Sequence, residues 1–213
     1  MNVLIVDDHT MLRAGLRLLL EREGITVVGE AANGRDAVAA ARRLKPDIVL
    51  MDISMPEMNG VDATRRVLGD VPGAKVVALS MHTDRRYVIA MFTAGASGYL
   101  LKGAASDELA QALRAVSQGM TYVSPAVGGV VVGELLDHSR GEGDPKPRSL
   151  TAREREVLQL LAEGKSSKDI AKILHVAVAT VETHRRQIME KLDLHTIAEL
   201  TKYAVREGLT ALE

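Results

Sequence analysis

VLIVDDH at residues 3–9 decides how the first half of this chain folds. Four apolar residues in a row are typical of a strand buried on both faces, and the two acidic residues after them would stand at its carboxyl end. Alternation of such strands with amphipathic helices predicts βαβ units, and therefore a parallel sheet with helices on both faces. The other predicted strands are 26–29, 48–51, 76–79 and 98–101, and the clearest helical stretches are 12–22, 35–44 and 107–117.

Polar side chains stand at the ends of four of these strands. Asp7 and Asp8 end the first strand, Asp52 the third, Ser80 the fourth and Lys102 the fifth. Because the carboxyl ends of parallel strands share one edge of an open sheet, we expect these residues to converge on one crevice. Carboxylate oxygens suit Mg²⁺, and a carboxylate can act as a nucleophile and form an aspartyl-phosphate. Lys102 and Ser80 would then contact the phosphoryl oxygens.

Residues 148–213 have only helical periodicity. Two capping boxes, TARE at 151–154 and TIAE at 196–199, each begin a helix, and Ser166 with Asp169 begins another. The third of the four predicted helices, in chain order, extends from about Val178 to Leu192. Two short helices joined by a tight turn, with supporting helices on either side, are typical of an all-α helix-turn-helix domain.

Residues 124–147 differ from both neighbouring regions. The pair SP at 124–125 is suited to begin a short helix, because proline fits the first helical position. The segment HSRGEGDPKP at 138–147 is typical of a linker. Glycines at 128, 129 and 133 lack the Gly-Lys-Ser/Thr ending of a phosphate-binding loop, so they predict a flexible helix or hinge. The predicted domains are therefore 1–123 and 148–213, with 124–147 between them.

Composition excludes several functional classes. The chain has no cysteine, which excludes disulfide frameworks, the usual zinc fingers and thiol catalysis. Aromatic residues make up only 2%, which argues against a stacking platform for single-stranded nucleic acid. No apolar run approaches the ~20 residues that cross a bilayer, and no basic leader is visible, so we expect a soluble cytoplasmic protein without membrane contact. Because residues 148–213 carry 11 basic and 10 acidic residues, any DNA-binding assignment depends on motif and local charge placement.

The first half resembles the receiver domain of two-component systems. The segments VLIVDDH at 3–9, DISMPEMNG at 52–60, LSM at 79–81 and GYLLK at 98–102 carry this resemblance, which covers about residues 1–120. It implies a flavodoxin-like α/β fold with five parallel strands. It implies Asp52 as phosphoacceptor and Lys102 as the lysine that binds the phosphoryl group. Ser80 and Tyr99 are implied as a coupled switch pair, in which Ser80 turns to the phosphoryl group and Tyr99 then rotates inward. The implied Mg²⁺ ligands are Asp8, Asp52 and the backbone carbonyl of Ser54, with Asp7 acting through water.

The last third is similar to the LuxR-type helix-turn-helix domain. The similarity rests on LTAREREVLQLLAEG at 150–164, IAKIL at 170–174, TVETHR at 180–185 and IMEKL at 188–192, and it covers about residues 148–209. A receiver followed by this domain implies the NarL/FixJ subfamily, whose third DNA-binding-domain helix enters the major groove of double-stranded DNA. The side chains nearest base edges would be Glu182, Thr183 and Arg186. Phosphate contacts are expected from Lys165, Ser166, Thr180, Arg185 and Lys191.

Together these resemblances imply a transcription regulator and not a metabolic enzyme. A sensor histidine kinase would phosphorylate Asp52, and this would dimerise the protein or release its DNA-binding domain. The receiver itself would catalyse only its own phosphorylation and dephosphorylation. The last helix is implied as the dimer contact on DNA, and the first helix as the docking face for the kinase.

Two alternatives fit the sequence less well. A Mg²⁺-dependent phosphatase of the haloacid-dehalogenase type would have a second aspartate where this chain has Ser54. A regulator or scaffold that works without phosphorylation is disfavoured because the acidic set is complete.

Four residues depart from the family patterns, and one of them is Met81, which follows Ser80 where a small residue is common in receivers. Gly103 follows Lys102 where many receivers have proline, which makes a cis peptide bond less favourable there. Ala177 stands where an N-cap serine often begins the DNA-contacting helix, and Ala179 stands where a polar residue is frequent. Loss of the cap and of a phosphate contact predicts modest DNA affinity for the monomer, so that dimerisation should be needed.

Overall fold

A computed structural model describes residues 1–103, 106–139 and 150–210 of the chain. The chain divides into two compact units, Met1–Gly143 and Asp144–Glu213. Residues 140–147 of the predicted linker lie outside the described residues. Within the described ranges, no helix is both long enough and apolar enough to span a membrane.

The first unit is built on a parallel sheet of six strands in the order β2-β1-β3-β4-β5-β6. This confirms the predicted parallel α/β fold. The strands are β1 (Asn2–Val6), β2 (Thr26–Ala31), β3 (Ile48–Asp52), β4 (Lys75–Ser80), β5 (Gly98–Leu101) and β6 (Tyr122–Val123). The helices of this unit are α1 (Thr10–Arg22), α2 (Gly34–Leu44), α3 (Gly60–Asp70), α4 (Arg85–Thr93), α5 (Ser106–Ser117) and α6 (Pro125–Ser139).

Alternate residues of each strand face opposite layers of helices. Val3 and Ile5 of β1 belong to the apolar cluster that contains the buried residues of α1 and α5. Leu4 and Val6 belong to the cluster that contains the buried residues of α2, α3, α4 and α6. All four side chains are fully buried. Because helices cover both faces, the strand is a continuous apolar run rather than an alternating one.

The structure differs from the sequence prediction in two features after residue 120, an additional strand and a longer helix. A sixth strand, β6, pairs in parallel with β5 where five strands were predicted. It has only two residues, too few for periodicity to reveal. After it, α6 extends over 15 residues where only a short helix was expected. This helix packs against α4 and fully buries Val127, so the first unit continues well past residue 123.

Within residues 150–210, the second unit consists of four helices, as predicted. They are α7 (Ala152–Ala162), α8 (Ser167–Leu174), α9 (Val178–Leu192) and α10 (Ile197–Arg206). Both predicted capping boxes are present, at the starts of α7 and α10, and Ser166 caps α8. One apolar cluster includes buried residues from all four helices, among them Val157, Ile170, Val181 and Leu200.

Candidate functional site

Strands β1 and β3 and the residue after β5 bring two carboxylates and an ammonium group together at the carboxyl edge of the sheet. Lys102 Nζ lies 2.7 Å from Asp52 Oδ2 and 2.7 Å from Asp7 Oδ2. The three side chains are at most 7% exposed. Lys102 is held next to β4 as well, because its backbone N–H donates to the carbonyl oxygen of Ser80 at 2.8 Å. The sheet thus places residues from distant parts of the sequence in one buried ionic cluster.

The same edge carries a group of side chains that could hold a metal ion. One donor atom from each of Asp7, Asp8, His9 and Asp52 lies within 4.8 Å of the others. Asp7 and Asp52 are buried, whereas His9 is 70% exposed, so the group is accessible from solvent on one side. Three carboxylates fit a small hard cation such as Mg²⁺, which takes oxygen ligands and keeps several waters.

The electrostatics of this cluster favour additional positive charge. Burial raises the pKa of Asp52 to about 6, although the hydrogen bond and charge of Lys102 act in the opposite direction. The nearby charges of Asp7 and Asp8 also raise the pKa of Asp52. Burial lowers the pKa of Lys102, but hydrogen bonds with Asp52 and Asp7 outweigh burial and raise it above the ordinary value. At neutral pH Lys102 is therefore charged, and Asp52 is mostly ionised at a cost that a bound cation would reduce.

The loop after β3 sets the position of Asp52. Gly60, the first residue of α3, donates its N–H to the carbonyl oxygen of Ile53 at 2.8 Å. A Cβ atom at Gly60 would lie 2.0 Å from the carbonyl oxygen of Asp52, so only glycine permits this close approach. Asn59 caps α3 by accepting a hydrogen bond from the N–H of Asp62 at 2.9 Å. Ser54, the predicted carbonyl ligand, donates its N–H to Asp52 Oδ1 at 3.4 Å.

The predicted switch pair lies on neighbouring strands, and both side chains are buried. Ser80 Oγ accepts a hydrogen bond from the N–H of His82 at 2.9 Å. The Tyr99 hydroxyl donates to the backbone carbonyl oxygen of His82 at 2.8 Å. Burial raises the pKa of Tyr99 to about 12, so the hydroxyl keeps its proton. The Tyr99 ring is fully buried in this structure, and the carbonyl oxygen of His82 is the acceptor for its hydroxyl. The coupled movement of Ser80 and Tyr99 after phosphorylation stays a prediction.

Two further side chains at this site, His9 and Arg13, were not predicted from the sequence. His9 Nδ1 lies 2.7 Å from Asp8 Oδ1 and 3.2 Å from Asp7 Oδ1. Arg13 Nη1 donates to the carbonyl oxygen of Asp7 at 2.6 Å, and its Nε donates to Glu30 Oε2 at 3.2 Å. Because helical side chains point towards the helix N-terminus, an arginine in the first turn after DDH could have been identified as reaching back to β1.

In the second unit, α9 presents a polar face to solvent. Glu182, Thr183 and Arg186, the predicted base-contacting residues, are all exposed. Glu182 accepts a hydrogen bond from the Ser167 hydroxyl at the start of α8. Thr183 donates its hydroxyl to the carbonyl oxygen of Ala179 at 2.9 Å. Two of the three side chains are thus oriented by contacts within the unit.

The predicted phosphate-contacting residues fall into two groups. Ser166 Oγ accepts from the N–H of Asp169 at 3.2 Å and so caps α8. Lys191 Nζ lies 2.8 Å from the buried carboxylate of Glu154 on α7. These two residues therefore have structural partners within the unit. Arg185 is half-buried and lies 4.0 Å from a carboxylate oxygen of Glu182, and the remaining two residues, Lys165 and Thr180, are exposed.

The structure shows the consequence of two departures from the family patterns, Ala177 and Gly103. Ala177 occupies the N-cap of α9 without any side-chain cap hydrogen bond, as expected for alanine. The described residues contain no cis peptide bond, and this includes the bond between Lys102 and Gly103. The start of α9 therefore depends on backbone hydrogen bonds and packing.

Comparison with known proteins identifies both units. Residues 3–114 match the family described as response regulator receiver domain, and residues 148–204 match the bacterial regulatory proteins of the luxR family. The transcriptional regulatory protein MctR of Rhizobium johnstonii is 38% identical over 211 residues, which cover 99% of this chain and 95% of MctR.

Solved structures of response regulators match this chain over almost its full length. RcsB from Salmonella enterica serovar Typhimurium, bound to promoter P1flhDC in the presence of phosphomimetic BeF3-, is 28% identical with a TM-score of 0.60, covering 99% of each chain. A structure of two RcsB dimers bound to two parallel DNAs is 27% identical with a TM-score of 0.58, covering 95% of this chain and 96% of RcsB. The chain therefore belongs to the NarL/FixJ-type response regulators of two-component systems, with a receiver domain followed by a LuxR-type DNA-binding domain.

Proposed function

We propose that this chain accepts a phosphoryl group on Asp52 from a sensor histidine kinase and that this phosphorylation controls its binding to double-stranded DNA. The observation that carries the proposal is the double ion pair of Lys102 with Asp52 and Asp7 at 2.7 Å each, inside a group of potential metal ligands. If these aspartates only formed solvated turns at strand ends, no buried lysine would be needed beside them.

The residues of the site can perform this transfer. A carboxylate oxygen of Asp52 attacks phosphorus, the new P–O bond forms, and the bond from phosphorus to the histidine nitrogen breaks. Lys102 is placed to bind the phosphoryl oxygens that arrive beside its ammonium group. Mg²⁺, held by Asp8, Asp52 and the Ser54 carbonyl with Asp7 acting through water, would supply positive charge that offsets the phosphoryl charge. The exposed side of the acidic group, at Asp8 and His9, gives the phosphodonor access.

Phosphorylation would change the partners of the switch residues. The phosphoryl group adds about −1.5 to −2 charges at Asp52. A hydroxyl that turns to this charge must give up its present role as acceptor for the His82 N–H, and Lys102 must share its ammonium group among more oxygens. The conformational signal therefore begins in the loop between β4 and α4.

The DNA-binding part of the proposal rests on α9. A 15-residue helix with an exposed polar face suits the major groove, where arginine can pair with guanine and glutamate can accept from cytosine. The RcsB complexes, one with a promoter and one with dimers on DNA, support recognition of double-stranded DNA by a homodimer of this chain. We assign the dimer contact on DNA to α10 and the kinase docking face to α1. A cytoplasmic location follows from these proposed partners.

The test compares DNA affinity before and after activation. A preferred site would be selected from a random pool of duplexes, and binding and oligomeric state would be measured with Mg²⁺, with and without beryllofluoride. The proposal predicts tighter binding and dimerisation that both disappear in Asp52→Ala. Equal DNA binding by the two proteins under all conditions would show that the acidic site does not control the DNA-binding domain.

A further inference from the structure

Helix α6 is unusually rich in glycine for a helix that forms part of a packed unit. Gly128, Gly129 and Gly133 lie within its 15 residues. A Cβ atom at any of the three would meet nothing within 4 Å, so no close approach in the fold requires glycine there. Each glycine disfavours the helical state by about fivefold relative to alanine. The sequence thus keeps α6 weak, and packing must stabilise it.

The packing partner of α6 is α4, and we call this packing the α4–α6 contact. Val127 is fully buried in the apolar cluster that also contains Val88 and Met91 of α4. Beyond the apolar part, Arg85 Nε donates to Glu134 Oε2 at 2.7 Å. An exposed ion pair of this kind adds little stability, so the contact is held mainly by a few valine side chains.

The start of α6 is attached to the strand that carries the switch tyrosine. The N–H of Ser124 donates to the carbonyl oxygen of Tyr99 at 2.9 Å. Ser124 Oγ accepts from the N–H of Leu101 at 3.3 Å, and Leu101 directly precedes Lys102. A displacement of Lys102 towards a phosphoryl group would therefore act directly on the first residue before α6.

The start of α4 is connected to the other switch residue. The His82 ring stacks on Tyr87 in the first turn of α4, with ring centroids 4.6 Å apart. The backbone of His82 is bonded at its N–H to Ser80 and at its carbonyl to Tyr99. Release of the Ser80 hydrogen bond would thus loosen the loop that positions α4. Both partners of the α4–α6 contact are linked to side chains at the phosphoacceptor site.

We propose that the α4–α6 contact is an autoinhibitory contact that phosphorylation of Asp52 breaks. The inference rests on the proposed function and adds the segment that transmits the signal. In the resting protein α6 is helical and bound to α4. When Ser80 and Lys102 turn to the phosphoryl group, α4 moves, the contact is lost, and the glycines let α6 unwind. Since the chain continues from α6 through residues 140–149 to the second unit, this unwinding changes the tether of the DNA-binding domain.

The test strengthens α6 without touching the acidic site. Full-length Gly128→Ala, Gly129→Ala and Gly133→Ala variants would be compared with the parent chain by hydrogen exchange of the amides in residues 126–139, with and without beryllofluoride and Mg²⁺. In the parent chain, beryllofluoride should reduce protection of these amides. Each substitution should raise their protection in the resting protein and weaken the apparent beryllofluoride affinity by up to about fivefold, because a conformational coupling acts equally in both directions.

Two control variants separate this effect from general stabilisation. Gly69→Ala lies near the end of α3, where a Cβ atom also meets nothing within 4 Å. It should leave both the α6 protection and the beryllofluoride affinity unchanged. Glu134→Gln removes the exposed ion pair with Arg85, so any shift in the two quantities should be smaller than that of the alanine variants and opposite in direction.

The possible failures are distinguishable. Absence of any Asp52-dependent beryllofluoride binding would overturn the proposed function and the autoinhibitory contact together. Binding with unchanged α6 protection would overturn only the contact's role. Tighter rather than weaker beryllofluoride binding by the alanine variants would show that docked α6 favours the active state, which also contradicts the proposal.

Discussion

The substitution Asp52→Asn should stabilise the receiver in metal-free solution at neutral pH. The carboxyl group is 4% exposed, and burial raises its pKa from 3.8 to about 6. The folded protein therefore binds this proton more tightly than the unfolded chain does. Its ionisation therefore destabilises the folded state progressively as the pH rises from about 3.8 to about 6, and the penalty is constant above that range and absent below it.

The size of the effect follows from the pKa shift. A difference of about two pH units between the folded and unfolded states corresponds to about 3 kcal/mol at neutral pH. Asparagine has nearly the same shape, carries no charge, and can still accept a hydrogen bond from Lys102. We expect the free energy of unfolding to rise by up to about 3 kcal/mol near pH 7.5, and the gain to vanish near pH 4. Saturating Mg²⁺ should reduce the gain, because the cation offsets the charge of the parent aspartate.

Urea unfolding in the presence of a chelator would measure this difference across the pH range. Tyrosine fluorescence is a suitable probe, because three of the four tyrosines lie in the first unit. The matched control is Asp70→Asn, which removes a surface ion pair with Arg42 and should cost no more than about 1 kcal/mol. If Asp52→Asn proved less stable than the parent at neutral pH without metal, the argument from desolvation would be refuted.

Three further predictions concern other parts of the molecule. Arg186→Ala should lower the affinity for the preferred duplex by about 1–3 kcal/mol and relax the sequence preference. Lys165→Ala should weaken binding to all duplexes alike and reduce the slope of log affinity against log salt concentration by about one. Fluorescence anisotropy would measure both effects. Ala177→Ser should supply the missing N-cap of α9 and raise the free energy of unfolding of the second unit by about 1 kcal/mol, measured by urea denaturation; an unchanged value would mean that the cap position is already satisfied. Arg13→Met should weaken Mg²⁺ binding in a calorimetric titration, because the guanidinium holds the carbonyl of Asp7; unaltered affinity would assign Arg13 a purely structural role.

The main features of the fold could be predicted from the sequence because they depend on local patterns. The run at residues 3–6 is apolar throughout because helices cover both sheet faces, and the capping boxes of α7 and α10 specify where those helices begin. The two-residue strand β6 and the length of α6 could not be predicted. Both depend on tertiary contacts, with β5 and with α4, which override the weak helical propensity of the glycines.

The acidic site could be predicted in part, for the same reason. Asp7, Asp52 and Lys102 each follow a buried strand, so the sheet rule brings them together. The hydrogen bond from the Tyr99 hydroxyl to the carbonyl oxygen of His82 could not be predicted, because it depends on the backbone path after β4 and not on the residue types of Tyr99 and His82. The cap that Ser166 forms with Asp169 was predicted, but the ion pair of Lys191 with Glu154 was missed, because a lysine on a helix surface can serve an ion pair or a phosphate equally well.

Site-specific phosphorylation tests the central claim most directly. The full-length protein would be incubated with Mg²⁺ and a small phosphodonor, and intact mass and peptide mass would be measured beside an Asp52→Ala control. The account predicts the addition of one phosphoryl group, located on the peptide that contains Asp52, dependent on Mg²⁺ and absent from the control. Equal labelling of the control, or no labelling of the parent chain under conditions in which it is folded, would contradict the assignment of Asp52 as phosphoacceptor.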